Sequence, residues 1–173
     1  MGVLFDQAWA DAIERHAGQM YGPHKYDYHL GMVVAATREI YGDDDVQLAA
    51  AALHDTIEDT GATREYLEQK YGADVGALVW AVSADPTAVG RRAKQKSIAQ
   101  KLGLLPAHLR LRGINLKMTD RKCNQKASVQ EERWDLVRMY ASEDDLYGPF
   151  FSQGNPELYA EYQQYCHFVC PKN

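Results

Sequence analysis

Apolar residues return every three or four positions along nearly the whole chain, and alternation of apolar and polar residues over several positions is hard to find. That pattern predicts an all-α fold. The first stretch, residues 4–17, sets Phe5, Trp9, Ala12, Ile13 and His16 on one side, with Gly18 as its stop. Gly22-Pro23 reads as the opening of a second helix that ends before Gly42, since proline suits a first helical turn and glycine the position after a last one. A third helix is expected over residues 45–59, then two short ones over 63–72 and 74–83. After the Asp85-Pro86 loop come a basic helix to about residue 102, a long helix over 107–126, and two more over 131–142 and 156–168. The aromatic run Tyr147-Gly148-Pro149-Phe150-Phe151 between the last two reads as a loop with a packing role.

Length and charge narrow the class. At 173 residues and 46% hydrophobic content the chain suits one compact domain with a real core, its motif-bearing part at about 6–126 and a helical extension at about 128–170. Its 19 basic and 24 acidic residues give a net charge of −5, so the average surface repels nucleic acid and anionic membrane. Cys123, Cys166 and Cys170 are too few for a disulfide framework and fit a reducing, cytoplasmic setting, and the start lacks a basic segment followed by an apolar run. Cys166, His167 and Cys170 offer too few neighbouring donors for a metal and read as a small apolar helix face. His24 and His108 read as surface histidines and the runs 43–45 and 143–145 as solvated acidic loop ends.

The informative segment is residues 48–60, where Ala and Leu give way to His54-Asp55-Thr56-Ile57-Glu58-Asp59-Thr60. At about 100° per residue, His54, Asp55, Glu58 and Asp59 share one arc of roughly 140°, while Val46, Ala50, Leu53 and Ile57 gather on the other side. Ionisable groups at the edge of a buried helix need partners, and a divalent cation is a common way to hold imidazole and carboxylates together. His29 lies upstream, one turn after Tyr26, and Asp120 lies downstream in an apolar helix with Asn124 one turn beyond it. Two nitrogen and two oxygen donors from three helices make a plausible divalent site, and such a mixed shell suits Mn²⁺ better than a thiolate shell would.

In order and spacing, His29, His54-Asp55 and Asp120 resemble the HD phosphohydrolase superfamily. The fuller set of His16-Ala17-Gly18-Gln19, Tyr26 to His29, the block from Ala51 to Thr60, Tyr71-Gly72 and Leu116 to Arg121 with Asn124 resembles the hydrolase domain of RelA/SpoT-type alarmone enzymes, especially their small stand-alone relatives. This resemblance implies an HD-domain helical bundle that removes the 3′-pyrophosphate of guanosine tetra- or pentaphosphate, (p)ppGpp, with Mn²⁺ or another divalent metal. By position it implies His29, His54, Asp55 and Asp120 as ligands, Glu58 and Asp59 as groups that activate or steer water, and Asn124 as a nucleotide contact, with Tyr21 and Lys25 as further substrate contacts. The chain departs from the family where residues 20–25 run about two positions short and lack an Arg, where Leu30 replaces a Pro, and at Lys122-Cys123.

Between Asp85 and Asp120 there is no acidic residue, yet eight basic ones stand there. Arg91, Arg92, Lys94 and Lys96 are candidates to meet a substrate pyrophosphate, against the alternative of a solvated basic helix that pairs with acidic loops. The expected partner is a small nucleotide, with no nucleic acid and no membrane; self-association stays open. Two other functions remain, an HD phosphohydrolase on another nucleotide such as an NADPH 2′-phosphatase, and a non-catalytic nucleotide sensor or partner-binding module.

Overall fold

The computed structural model describes residues 2–168. Helices α1 (Val3–Arg15), α2 (Tyr26–Tyr41), α3 (Asp45–Leu53) and α4 (Thr56–Asp59) are followed by α5 (Arg64–Tyr71), α6 (Ala73–Val82) and α7 (Arg91–Leu104). The long α8 (Ala107–Gln130), α9 (Trp134–Ala141), α10 (Asp144–Phe151) and α11 (Pro156–Cys166) complete the fold. The all-α expectation holds, except for a two-stranded hairpin of β1 (Met20–Tyr21) and β2 (His24–Lys25). No helix among the described residues is long and apolar enough to cross a membrane.

At the centre lies α3, whose residues 47–53 are all buried. Four successive alanines let it approach α1, α2 and α6 closely, and α8, buried from Gly113 to Arg121, closes the core beside α2 and α6. The ends of α1 and α3 share one acidic run. Asp44 caps α3 through the amide of Gln47, and Asp45 accepts from the amides of Leu4 and Phe5 at 3.2 and 2.8 Å, so it caps α1 across the core. Asp11 binds α1 to α5 by accepting from Tyr66 and Tyr71.

Four sequence expectations change here. Gly22-Pro23 is the loop of the hairpin rather than a helix start; Gly22 sits at φ +56, the positive value a tight two-residue turn demands at its first central position. The helix expected over 45–59 breaks at His54-Asp55, where the Thr56 hydroxyl donates to the Leu53 carbonyl at 2.7 Å and competes for the acceptor that a continuing helix would use. The aromatic run is helical, with Pro149 inside α10, and Tyr147 and Phe151 are buried against α7, α8 and Tyr162, so its packing role holds. The acidic run 143–145 is no solvated loop end throughout, because Glu143 is buried. Cys170 lies outside the described residues.

Candidate active site

The break after α3 turns His54 and Asp55 toward α2 and α8. His54 Nδ1 meets the Ala51 carbonyl at 2.8 Å, which fixes the proton on Nδ1 and leaves Nε2 free as a donor to a metal. His29, one turn into α2, brings its Nε2 to 3.2 Å from His54 Nε2. Asp55 Oδ2 lies 3.5 Å from His29 Nε2 and 3.0 Å from His54 Nε2, and Asp120 Oδ1 lies 3.4 and 3.6 Å from the same atoms. His29, His54 and Asp55 bring one donor atom each to within 4.8 Å of one another, a spacing that could hold one ion, and Asp120 adds contacts of 3.4 and 3.6 Å to the two imidazoles. The donor set, two imidazoles and two carboxylates with no thiolate, fits a divalent cation.

Electrostatics points the same way. Burial disfavours charge on both imidazoles, yet Asp55 and Asp120 outweigh it and hold His54 well above its usual range, and His29 is raised too. Burial also works against ionisation of Asp55 and Asp120, and here the imidazoles, joined at Asp120 by Lys117, win and hold both carboxyls well below their usual range. Lys117 Nζ donates to Asp120 Oδ2 at 2.9 Å, and Asn124 Nδ2 donates to Asp120 Oδ1 at 2.6 Å. Asn124 in turn accepts from the Tyr21 hydroxyl at 2.8 Å, and the Tyr21 ring stacks on His29 with centroids 4.7 Å apart.

These groups open onto a polar cavity of about 230 Å³. Its lining includes the acidic Asp55, Glu58, Asp59 and Asp120 with His29, and the basic Arg91, Lys117 and Arg121. The Tyr26 hydroxyl donates to Asp55 Oδ2 at 2.6 Å and Asp59 Oδ2 at 3.0 Å and so joins the two carboxylates. Desolvation and the charge of Asp55 raise Asp59 above the usual carboxylate value. Glu58 Oε1 is pinned by the Ala84 amide at 2.6 Å.

Sequence reasoning selected the four donors, Glu58, Asp59, Asn124 and Arg91; all but His54 line this cavity, and His54 is buried behind it against His29 and Asp55. Tyr21 touches it through Asn124 and His29. Lys25, Arg92 and Lys94 do not line it. Lys25 lines a separate, mostly apolar cavity with His16 and Gln19, and Lys94 lines one beyond Glu58 with Trp80 and Lys101. Arg92 lies exposed in an ion pair with Asp145, and Arg91 pairs with Glu143, so at these two positions the basic helix does pair with acidic residues. Missed were Tyr26 as a carboxylate bridge, Lys117 and Arg121. The signal existed, since residues 117, 120, 121 and 124 fall on one face of a helix.

No protein-family model matches the chain. It is 32% identical over 146 residues to the bifunctional (p)ppGpp synthase/hydrolase SpoT of Escherichia coli, covering 83% of this chain and 20% of that protein. The GTP pyrophosphokinase rsh of Brucella ovis is 29% identical over 149 residues, covering 85% and 20%. A solved structure described as a metazoan ortholog of SpoT that hydrolyses ppGpp superposes with a TM-score of 0.77 at 21% identity, covering 95% of this chain and 94% of that one. The chain is a relative of the RelA/SpoT-type proteins. It spans about a fifth of the length of the curated relatives, and it shares the helical HD fold of the SpoT ortholog over nearly its whole described length. In this chain α2 and α8 carry His29 and Asp120, and the break between α3 and α4 carries His54 and Asp55.

Proposed function

We propose that this chain hydrolyses the 3′-pyrophosphate of (p)ppGpp. The observation that carries the reading is the convergence of His29, His54, Asp55 and Asp120 at the wall of the polar cavity that Glu58 and Asp59 also line. Similarity to SpoT, named for this hydrolysis, supports the choice of substrate. The four donors would hold a divalent cation, with Mn²⁺ the favoured occupant on ligand type. Such an ion supplies Lewis acidity, polarising a phosphoryl oxygen and acidifying water.

The chain's own groups do the rest. Asn124 and Lys117 hold Asp120 in place, and the Ala84 amide holds Glu58. Asp59, with its raised pKa and its tie through Tyr26 to Asp55, is placed to take a proton from an attacking water and to hold it at Oδ2. Glu58, which lines the same cavity, steers that water. The cations Arg91 and Arg121 line the cavity with the carboxylates and balance phosphate charge.

A second reading, the same chemistry on another nucleotide, is favoured by the hairpin that occupies residues 20–25 without an Arg and by Lys25 standing away from the polar cavity. A metal-supplemented screen against a nucleotide panel, with phosphate and pyrophosphate release read separately, tests both. Pyrophosphate release from the guanosine alarmones is the expected result. Activity confined to other nucleotides selects the second reading, and no release from any member refutes both.

A further inference from the structure

Arg121 is 2% exposed, yet it lines the polar cavity. Its Nη1 donates to Glu143 Oε2 at 3.0 Å and its Nη2 to the Tyr140 carbonyl at 2.9 Å, but its buried Nε–H has no partner among the described residues. Arg91 donates to the same Glu143 carboxylate from Nε at 2.7 Å and from Nη2 at 3.1 Å. Glu143 is 4% exposed and stands behind the cavity wall. One buried carboxylate therefore holds two guanidiniums, and the wall they form keeps a net charge of about +1 by this pairing. The tyrosines Tyr140 and Tyr147, with the Arg121 guanidinium 5.2 and 4.4 Å from their ring centroids, lock its plane.

A buried guanidinium N–H without an acceptor is costly, and an oxyanion in the cavity would remove that cost. The four donors around His29 lie at the same cavity and would place a cation for one phosphoryl group. Lys117 and Arg92 each pair with a carboxylate of their own, Asp120 and Asp145, whereas Arg91 and Arg121 share the single carboxylate of Glu143.

We infer that Arg121 is a substrate-binding residue that donates to the second phosphoryl group of a diphosphate ester, with Arg91 beside it and Glu143 as the positioning residue for both. This rests on the hydrolase reading above and assigns the side chains that meet the diphosphate of its substrate. The wall is preorganised because Glu143 cancels the repulsion between the two guanidiniums, and its removal releases both.

The test is thermal protection of the Mn²⁺-loaded protein by inorganic pyrophosphate and by inorganic phosphate, at a fixed buffered concentration of free metal, with metal content measured alongside. Wild type should be protected at a roughly tenfold lower concentration of pyrophosphate than of phosphate, the scale of one charge-assisted hydrogen bond. In R121Q and E143A the preference should vanish while metal content and protection by phosphate persist, and R121K should restore part of it. R91Q, altered at the more exposed partner, should lower the preference about threefold and decides the matter if the buried variants do not fold. Equal protection of wild type by the two anions, or an unchanged preference in folded R121Q or in R91Q, overturns the inference. Hydrolysis of monophosphate esters alone would refute the alarmone reading, and the anion preference would still report on Arg121 separately.

Discussion

Tyr26 shows how much one hydroxyl can decide. Its two hydrogen bonds stabilise the ionised forms of Asp55 and Asp59, opposing the desolvation and like charge that raise Asp59. Y26F removes that opposition, so the Asp59 pKa should rise further, and the acid limb of the pH–rate profile should move upward by about one pH unit. An acid limb that stays in place would show that Asp59 is not the proton acceptor. Glu58 is held by a backbone amide and lies outside the donor cluster, so E58Q should retain metal on elemental analysis and lose about 10²-fold in turnover. Turnover at the wild-type level would remove Glu58 from the mechanism. Both carboxylates were legible from their position one turn after His54-Asp55. The tyrosine's role was not, because its partners lie 29 and 33 residues away in sequence.

Elements place these residues through close approach. α5 and α6 pack tightly at Gly76, where an added Cβ would lie 3.0 Å from the Glu68 amide nitrogen and 3.2 Å from its Cα. Helix propensity alone would make G76A stabilising by about 1 kcal/mol. The contact with backbone reverses the sign, and we expect a loss of about 1–3 kcal/mol in chemical denaturation; a gain in stability would mean that α5 and α6 can separate freely. Helix existence and order were readable from the apolar period for α1, α2, α3 and α5 to α9 and for α11. The breaks were not. Gly22-Pro23 carries the same residues in a turn as at a helix start, and only pairing of Met20 with Lys25 distinguishes them. At Thr56 a side chain outcompetes the backbone for one carbonyl, an effect hidden in any average propensity.

For the whole molecule, a metal held as proposed would compete with protons for one cluster. In the metal-free protein the stabilisation from protonated His54 is complete below the unfolded imidazole value of about 6.5 and is lost as pH rises through its raised folded value. Metal uptake has the opposite slope, since it must displace that proton and therefore weakens as pH falls. Saturating Mn²⁺ should raise the melting temperature of wild type, by linkage worth about 2.7 kcal/mol at a hundredfold excess over Kd. D55A and D120A should show neither that rise nor bound metal, and an undiminished metal content would refute the ligand set. The amino-acid sequence by itself determined the helical class and singled out His54-Asp55 with the neighbouring acid pair, because these depend on residue type and on spacing within one or two turns. Only the tertiary structure decided which cations face the cavity. Arg91, Arg92 and Lys94 are alike as sequence, but Glu143 and Asp145 reach the first two from about fifty residues away, and distance in space rather than along the chain sets which charge meets which.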